Sequence, residues 1–133
     1  MDPVSRQVST YVAAPPAAVL AVAGDPARLS DWAAGLAATP LRPDGDDWVA
    51  DAPFGRVMVR FAARNALGVL DHVVTMPDGT QVLNPLRVTP WGDGSEVVFA
   101  VRRRPEMSDQ QFDDDVAAVA ADLATLRRVV EGG

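Results

Sequence analysis

The sequence predicts an α+β domain in which a curved antiparallel sheet wraps around a long C-terminal helix. Two observations carry this. From Ser108 to about Glu131, the residues Phe112, Val116, Val119, Leu123, Leu126 and Val130 recur four and three apart, which places them on one helical stripe. Between Val49 and Arg103, short apolar-polar runs are punctuated by turn signals such as Asp78-Gly79 and Asp93-Gly94. The stripe needs a broad apolar surface to lie on, and the hairpins are the only partner in the chain. A sheet curved around a helix encloses space, so the pattern points to a pocket.

Taken in order, residues 4–12 alternate as a first strand with Val8, Thr10 and Val12 on one side. Ala13-Ala14-Pro15-Pro16 ends it, and proline is tolerated in the first turn of the short helix that follows, Ala17 to Ala23. Gly24 closes that helix. Asp25-Pro26 then supplies an N-cap and first position for a second short helix through Leu29 and Trp32, ended by Gly35. The strands follow as a meander: Thr39 to Arg42, Trp48 to Ala52, Arg56 to Arg64, Gly68 to Thr75, Thr80 to Thr89 and Ser95 to Arg103. With the first strand this makes seven. Ser108 and Gln111 form a capping box at the start of the final helix. Asp113, Asp114 and Asp115 in its first half, and Arg127 and Arg128 in its last turns, suit the helix dipole.

No linker, repeat or low-complexity segment interrupts the 133 residues, so one domain over 1–133 is expected, long enough for a sizeable core. A hydrophobic content of 48% and a mean hydropathy of +0.04 fit a soluble globular protein. No apolar run approaches the roughly 20 residues of a membrane span. The N-terminus lacks the basic-then-apolar pattern of a secretory signal. Cysteine is absent, which removes disulfides and thiolate metal sites and agrees with a cytoplasmic location. The net charge of -6 argues against nucleic-acid binding. All 12 basic residues are arginine, a codon-bias pattern without functional weight.

Hairpin parity assigns the inner face. A loop with an even number of residues keeps paired strands in phase. Across Asp78-Gly79 an even loop groups Val69, Asp71, Val73 and Thr75 with Val82, Asn84, Leu86 and Val88. Across Asp93-Gly94 the same rule sets Val88 near Phe99 and Leu86 near Val101. Val57, Val59 and Phe61 point inward, joined by Trp48 and Ala50. The expected ligand-lining set is Trp48, Val59, Phe61, Val73, Asn84, Leu86, Phe99 and Val101 from the sheet, with Phe112, Val116 and Val119 from the helix. A bulge or an odd loop would invert a strand.

The order of these elements, with the segments PPAAVLAVAGD, DPARLSDW and GDGSEVVF, resembles the SRPBCC superfamily, which includes START domains, polyketide cyclases and birch-pollen-allergen-like carriers. The resemblance covers nearly the whole chain and rests mostly on Ala14 to Trp32. It implies a helix-grip fold, a seven-stranded antiparallel sheet around the last helix with a cavity between them. It also implies a pocket for an apolar or aromatic small molecule.

Three polar residues fall on the predicted inner face. Asn84 lies near Arg103, with Asp71 diagonal to both. Such a trio can orient a ligand carbonyl or hydroxyl, with Asp71 as general base. It can equally be a structural network closing the cavity, and that reading takes precedence because structural ion pairs perturb carboxylates as readily. Parity turns His72, the single histidine, outward with Leu70, Val74, Leu83 and Arg87. A register slip of one residue would exchange its role with Asp71.

Trp32 packs between the short helices and the sheet near the cavity mouth. Trp48 is the better pocket aromatic. Trp91 is exposed in a turn or in contact with another chain. No metal site, cofactor, nucleophile triad or Schiff-base lysine is expected.

Three functions remain. The first is binding of a small hydrophobic or aromatic metabolite. The second is a cyclase, aromatase or dehydratase-type enzyme using Asp71, Asn84 and Arg103. The third is a co-chaperone-like interaction module with a collapsed cavity. Neither nucleic acid nor membrane insertion is expected, and monomer and homodimer are both open.

Overall fold

The computed structural model describes residues 2–34, 36–37 and 39–132. The predicted helix stop at Gly35 lies outside the described residues. β1 (Ser5–Val12) forms where the alternation is clearest and buries Val12 completely. Pro16 opens α1 (Pro16–Ala23), and the Gly24 N–H closes it on the Leu20 carbonyl at 2.9 Å. Asp25 Oδ1 then accepts from the Ala27 N–H at 3.0 Å and starts a 3-10 helix, Pro26–Asp31. Both short helices were legible from their proline and cap residues.

Seven further strands follow: β2 (Arg42–Asp44), β3 (Asp47–Ala52), β4 (Gly55–Phe61), β5 (His72–Thr75), β6 (Gln81–Asn84), β7 (Leu86–Trp91) and β8 (Gly94–Arg102). The predicted seven-stranded sheet is thus corrected to eight strands in two hydrogen-bonded groups, β1-β8-β7 and β2-β3-β4-β5-β6, every pairing antiparallel. The run expected from Thr80 to Thr89 breaks at Pro85. Its carbonyl accepts from the Ala100 N–H at 3.0 Å, but it has no N–H to return. An isolated bridge between Val69 and Arg87, and a 2.8 Å bond from Leu70 N–H to Leu86 C=O, tie the groups together beside the break.

The hairpin tips decide which residues face inward. Trp48 pairs with Val59 and Ala52 with Gly55, so the β3–β4 loop is even, as expected. Trp91 pairs with Gly94, which shifts the β7–β8 register to Leu86 opposite Phe99 and Val88 opposite Val97. That is two residues from the expected partners, and two residues preserve the face. The β5–β6 tip breaks the rule. Met76 donates its N–H to the Thr80 carbonyl at 2.8 Å, and the Gly79 N–H returns to the Met76 carbonyl at 2.9 Å. This leaves a three-residue tip, Pro77-Asp78-Gly79, with Gly79 at φ 89°. That is a type I turn closed by a left-handed glycine. The odd tip inverts β5, so Val74 and His72 face inward while Val73 and Asp71 face outward.

α2 (Asp109–Gly132) begins with the capping box: Ser108 N–H to Gln111 Oε1 at 2.8 Å and Gln111 N–H to Ser108 Oγ at 3.1 Å. Its other end is tied down where Glu131 Oε2 accepts the Ala13 N–H at 2.7 Å. Leu123 and Leu126 are buried with Val19 of α1, Val12 of β1 and the inner-face residues Val57, Val59, Leu86, Val88 and Val97. Each such side chain stabilises the fold by roughly 1.5–3 kcal/mol relative to exposure. Among the described residues, no helix is long and apolar enough to cross a membrane.

Candidate functional site: a cavity between sheet and helix

The core does not fill all the space under the sheet. A cavity of about 440 Å³ remains between the inner face, α2 and the segment around the 3-10 helix. The sheet contributes His72, Val74, Val82, Asn84, Phe99 and Val101. The helix contributes Asp115, Ala118, Val119, Asp122 and Leu123. Leu29, Trp32, Ala33 and Leu36 close one side, and Phe54 and Met76 project from two hairpin tips.

His72 is the buried polar side chain of this lining. On the inner face it lies directly between Phe61 of β4 and Asn84 of β6. Its ring centroid is 5.4 Å from that of Phe61 and 6.0 Å from that of Phe99, the latter edge-on. The residue is only 4% exposed. Its orientation follows from the irregularity beside Pro85. The Leu86 N–H, which a regular ladder would give to Leu70, goes to Asp71 Oδ1 at 2.9 Å. The Leu70 carbonyl instead receives His72 Nδ1 at 3.0 Å. A carbonyl only accepts, so Nδ1 carries the proton and Nε2 presents a lone pair. Asn84 Nδ2 approaches that lone pair at 3.5 Å. Burial pushes the imidazole below its ordinary value, against the opposing pull of the Leu70 carbonyl and Asp71, so the ring is neutral near pH 7.

The structure therefore corrects the predicted polar trio. Asp71 faces outward and is held in a two-point fork by Arg87, with Nε to Oδ1 at 3.0 Å and Nη2 to Oδ2 at 2.8 Å. The Arg87 hydrogen bond outweighs burial, and with help from the Leu86 N–H it holds the Asp71 carboxyl below the usual range. Arg103 lies past the end of β8, where strand alternation no longer applies. It pairs with Asp109 at the start of α2 and donates to the Met107 carbonyl at 3.2 Å. Of the three, only Asn84 lines the cavity, and its partner there is His72.

Of the residues expected to line the pocket, the structure brings Asn84, Phe99, Val101 and Val119 together around it. Val59 and Leu86 are inner-face residues consumed by the core, at 0% and 1% exposure. Trp48 and Phe61 are half-buried and pack against that core, so Trp48 is not the pocket aromatic; Trp32 is. Val73 is turned outward opposite Arg60 and Leu83 by the odd tip. Phe112 is buried outside the cavity, with the Arg6 guanidinium 5.1 Å over its ring. Val116 is half-buried and does not reach the cavity. The helix face that does reach it runs through Asp115, Ala118, Val119 and Asp122, one side of the predicted stripe.

Charged groups also border the space. Arg104 bonds Glu106 at 2.8 Å, and Asp115 is raised by burial against the pull of Arg104. Trp32 is 4% exposed, and its Nε1–H is buried without a hydrogen-bond partner. Among the described residues, no cluster of three or more metal-ligating side chains occurs.

An antiparallel sheet curved about a long C-terminal helix, enclosing a cavity, is the helix-grip fold. The resemblance to the SRPBCC superfamily is borne out at the level of fold. XoxI from Bacillus cereus superposes with a TM-score of 0.74 at 15% identity, over 95% of this chain and 94% of that one. Ara h 8.0201 superposes at 0.69 with 13% identity, over 99% of this chain and 100% of that one. DynU16, from the dynemicin biosynthetic locus, superposes at 0.70 with 17% identity over 96% of this chain. The match spans 47% of DynU16, about half its length. At such identities the likeness is one of architecture. No family model matches the sequence, and no curated protein matches it.

Proposed function

We propose that this protein binds a small hydrophobic or aromatic metabolite in the cavity between its sheet and C-terminal helix. The observation that carries the reading is the cavity itself. Its volume of about 440 Å³ lies in the usual range of small-molecule sites, and apolar side chains converge there beside the His72–Asn84 pair, with Arg102, Arg104, Asp115 and Asp122 also bordering the space. Native mass spectrometry of the purified protein tests it, with a stoichiometric small-molecule adduct expected that denaturation releases. A chain that carries no adduct and binds no aromatic probe in titration overturns it.

One observation favours an enzyme as the second reading. A neutral imidazole on a cavity wall, its Nε2 met only by Asn84 Nδ2 at 3.5 Å, is the arrangement of a general base. This moves any cyclase, aromatase or dehydratase-type chemistry from Asp71 and Arg103 to His72, with Asn84 as its neighbour. On that reading, turnover falls as His72 protonates at low pH, and His72→Gln abolishes it while binding survives. The co-chaperone-like alternative supposes a collapsed cavity, so an open one supports the other two readings.

A further inference from the structure

We infer that the cavity selects aromatic molecules that carry a hydroxyl group, and that this hydroxyl donates its proton to Nε2 of His72. The inference rests on the binding reading above and names the chemistry the site recognises. Nδ1 is committed to the Leu70 carbonyl, so the ring cannot turn its N–H toward a ligand without losing that bond. The Phe61 and Phe99 rings hold it in place. Nε2 is left with a single partner, Asn84 Nδ2, at 3.5 Å, the outer limit of a hydrogen bond. A buried acceptor so weakly served gains from a better donor.

Asn84 strengthens the preference. Its amide turns Nδ2 toward the imidazole, and among the described residues its Oδ1 accepts from no protein group. Two acceptors therefore stand side by side at this point of the cavity wall, and a ketone or carboxylate oxygen can pair with neither; the donors elsewhere in the lining are the Trp32 Nε1–H and the guanidinium groups of Arg102 and Arg104. A hydroxyl satisfies one of the two acceptors, and the aromatic lining from Trp32, Phe54 and Phe99 suits a flat ring behind it.

Equilibrium dialysis with 2-naphthol, 2-methoxynaphthalene and naphthalene separates donor, acceptor and shape. The intact protein is expected to bind 2-naphthol about tenfold more tightly than the other two, the worth of one net hydrogen bond. His72→Phe is expected to abolish the preference, so that 2-naphthol and naphthalene bind alike. His72→Gln keeps an acceptor near the place of Nε2 and is expected to retain the preference.

Equal binding of the three probes by the intact protein overturns the inference and leaves the cavity reading standing. A preference that survives His72→Phe overturns the role of His72. Failure of all three probes to bind removes the binding reading itself. Should His72→Phe fail to fold, the contrast between 2-naphthol and 2-methoxynaphthalene and the behaviour of His72→Gln still decide.

Discussion

A buried imidazole costs little while it is neutral and much once it is charged. Burial holds His72 below its ordinary value, whereas the unfolded chain titrates near pH 6.5. Below about pH 6.5 the unfolded state therefore binds more protons than the folded one. Stability from this residue is full above that pH and is lost as the pH drops through it. Thermal unfolding followed from about pH 8 to about pH 5 should show the midpoint falling in the lower half of the range. His72→Phe should flatten that fall, and an identical slope in the variant would place the sensitivity elsewhere. Gly68 makes a second residue-scale test. It sits at φ 75°, and a Cβ there would run into the Val88 carbonyl oxygen, whose residue donates its N–H to Gly68 at 2.9 Å. Gly68→Ala should destabilise by about 2–4 kcal/mol in denaturant unfolding.

At the scale of elements, the tip Met76-Pro77-Asp78-Gly79-Thr80 sets the face of every residue on β5. As a two-residue turn, Asp78-Gly79 puts Asp71 and Val73 inside and His72 outside. The signal for the other outcome was in the chain. Proline followed by Asp-Gly is the sequence of a type I turn with a left-handed glycine, a three-residue connection. Asp78 Oδ1 fixes the tip by accepting the Thr80 N–H at 2.9 Å. The other turns were even, and there the predicted faces of Val57, Val59, Val88, Val97 and Phe99 hold.

The inverted strand also changes what Asp71 does. On the outer face it anchors Arg87 and satisfies the Leu86 N–H, so it is a structural residue at the ladder break. Asp71→Asn should lower stability by about 1–2 kcal/mol at neutral pH, through loss of a charge-assisted fork. Naphthol affinity should be untouched. The folded carboxyl titrates low, so this stability is present above the ordinary carboxylate pKa and lost as the pH falls through the folded value. A variant that kept full stability but lost probe binding would return Asp71 to the site.

Across the molecule, one apolar stripe on α2 serves both the core and the cavity. Leu126 is sealed in the core and Leu123 is buried where core meets cavity, while Ala118 and Val119, a turn or more earlier, border open space. A larger side chain at the cavity wall should then fill the guest space and leave the core alone. Ala118→Phe is expected to weaken naphthol binding about tenfold or more without lowering the unfolding midpoint. A large drop in midpoint would show that the space at Ala118 is already filled.

Local rules were enough for much of this chain: the element order, both short helices, the capping box and the apolar character of the inner face. Each depends on a few adjacent residues, through prolines, caps and side-chain periodicity. Alternation also found Asn84, Phe99 and Val101 for the cavity wall. What the chain could not settle locally was the parity of one hairpin and the division of the inner face between core and cavity. Parity depends on how many residues a tip consumes. The division depends on where α2 and the 3-10 segment come to rest, which follows from packing between residues far apart in sequence. Only that packing consumed Val59 and Leu86, opened space beside Val119, and turned a lone histidine read as outward toward the cavity.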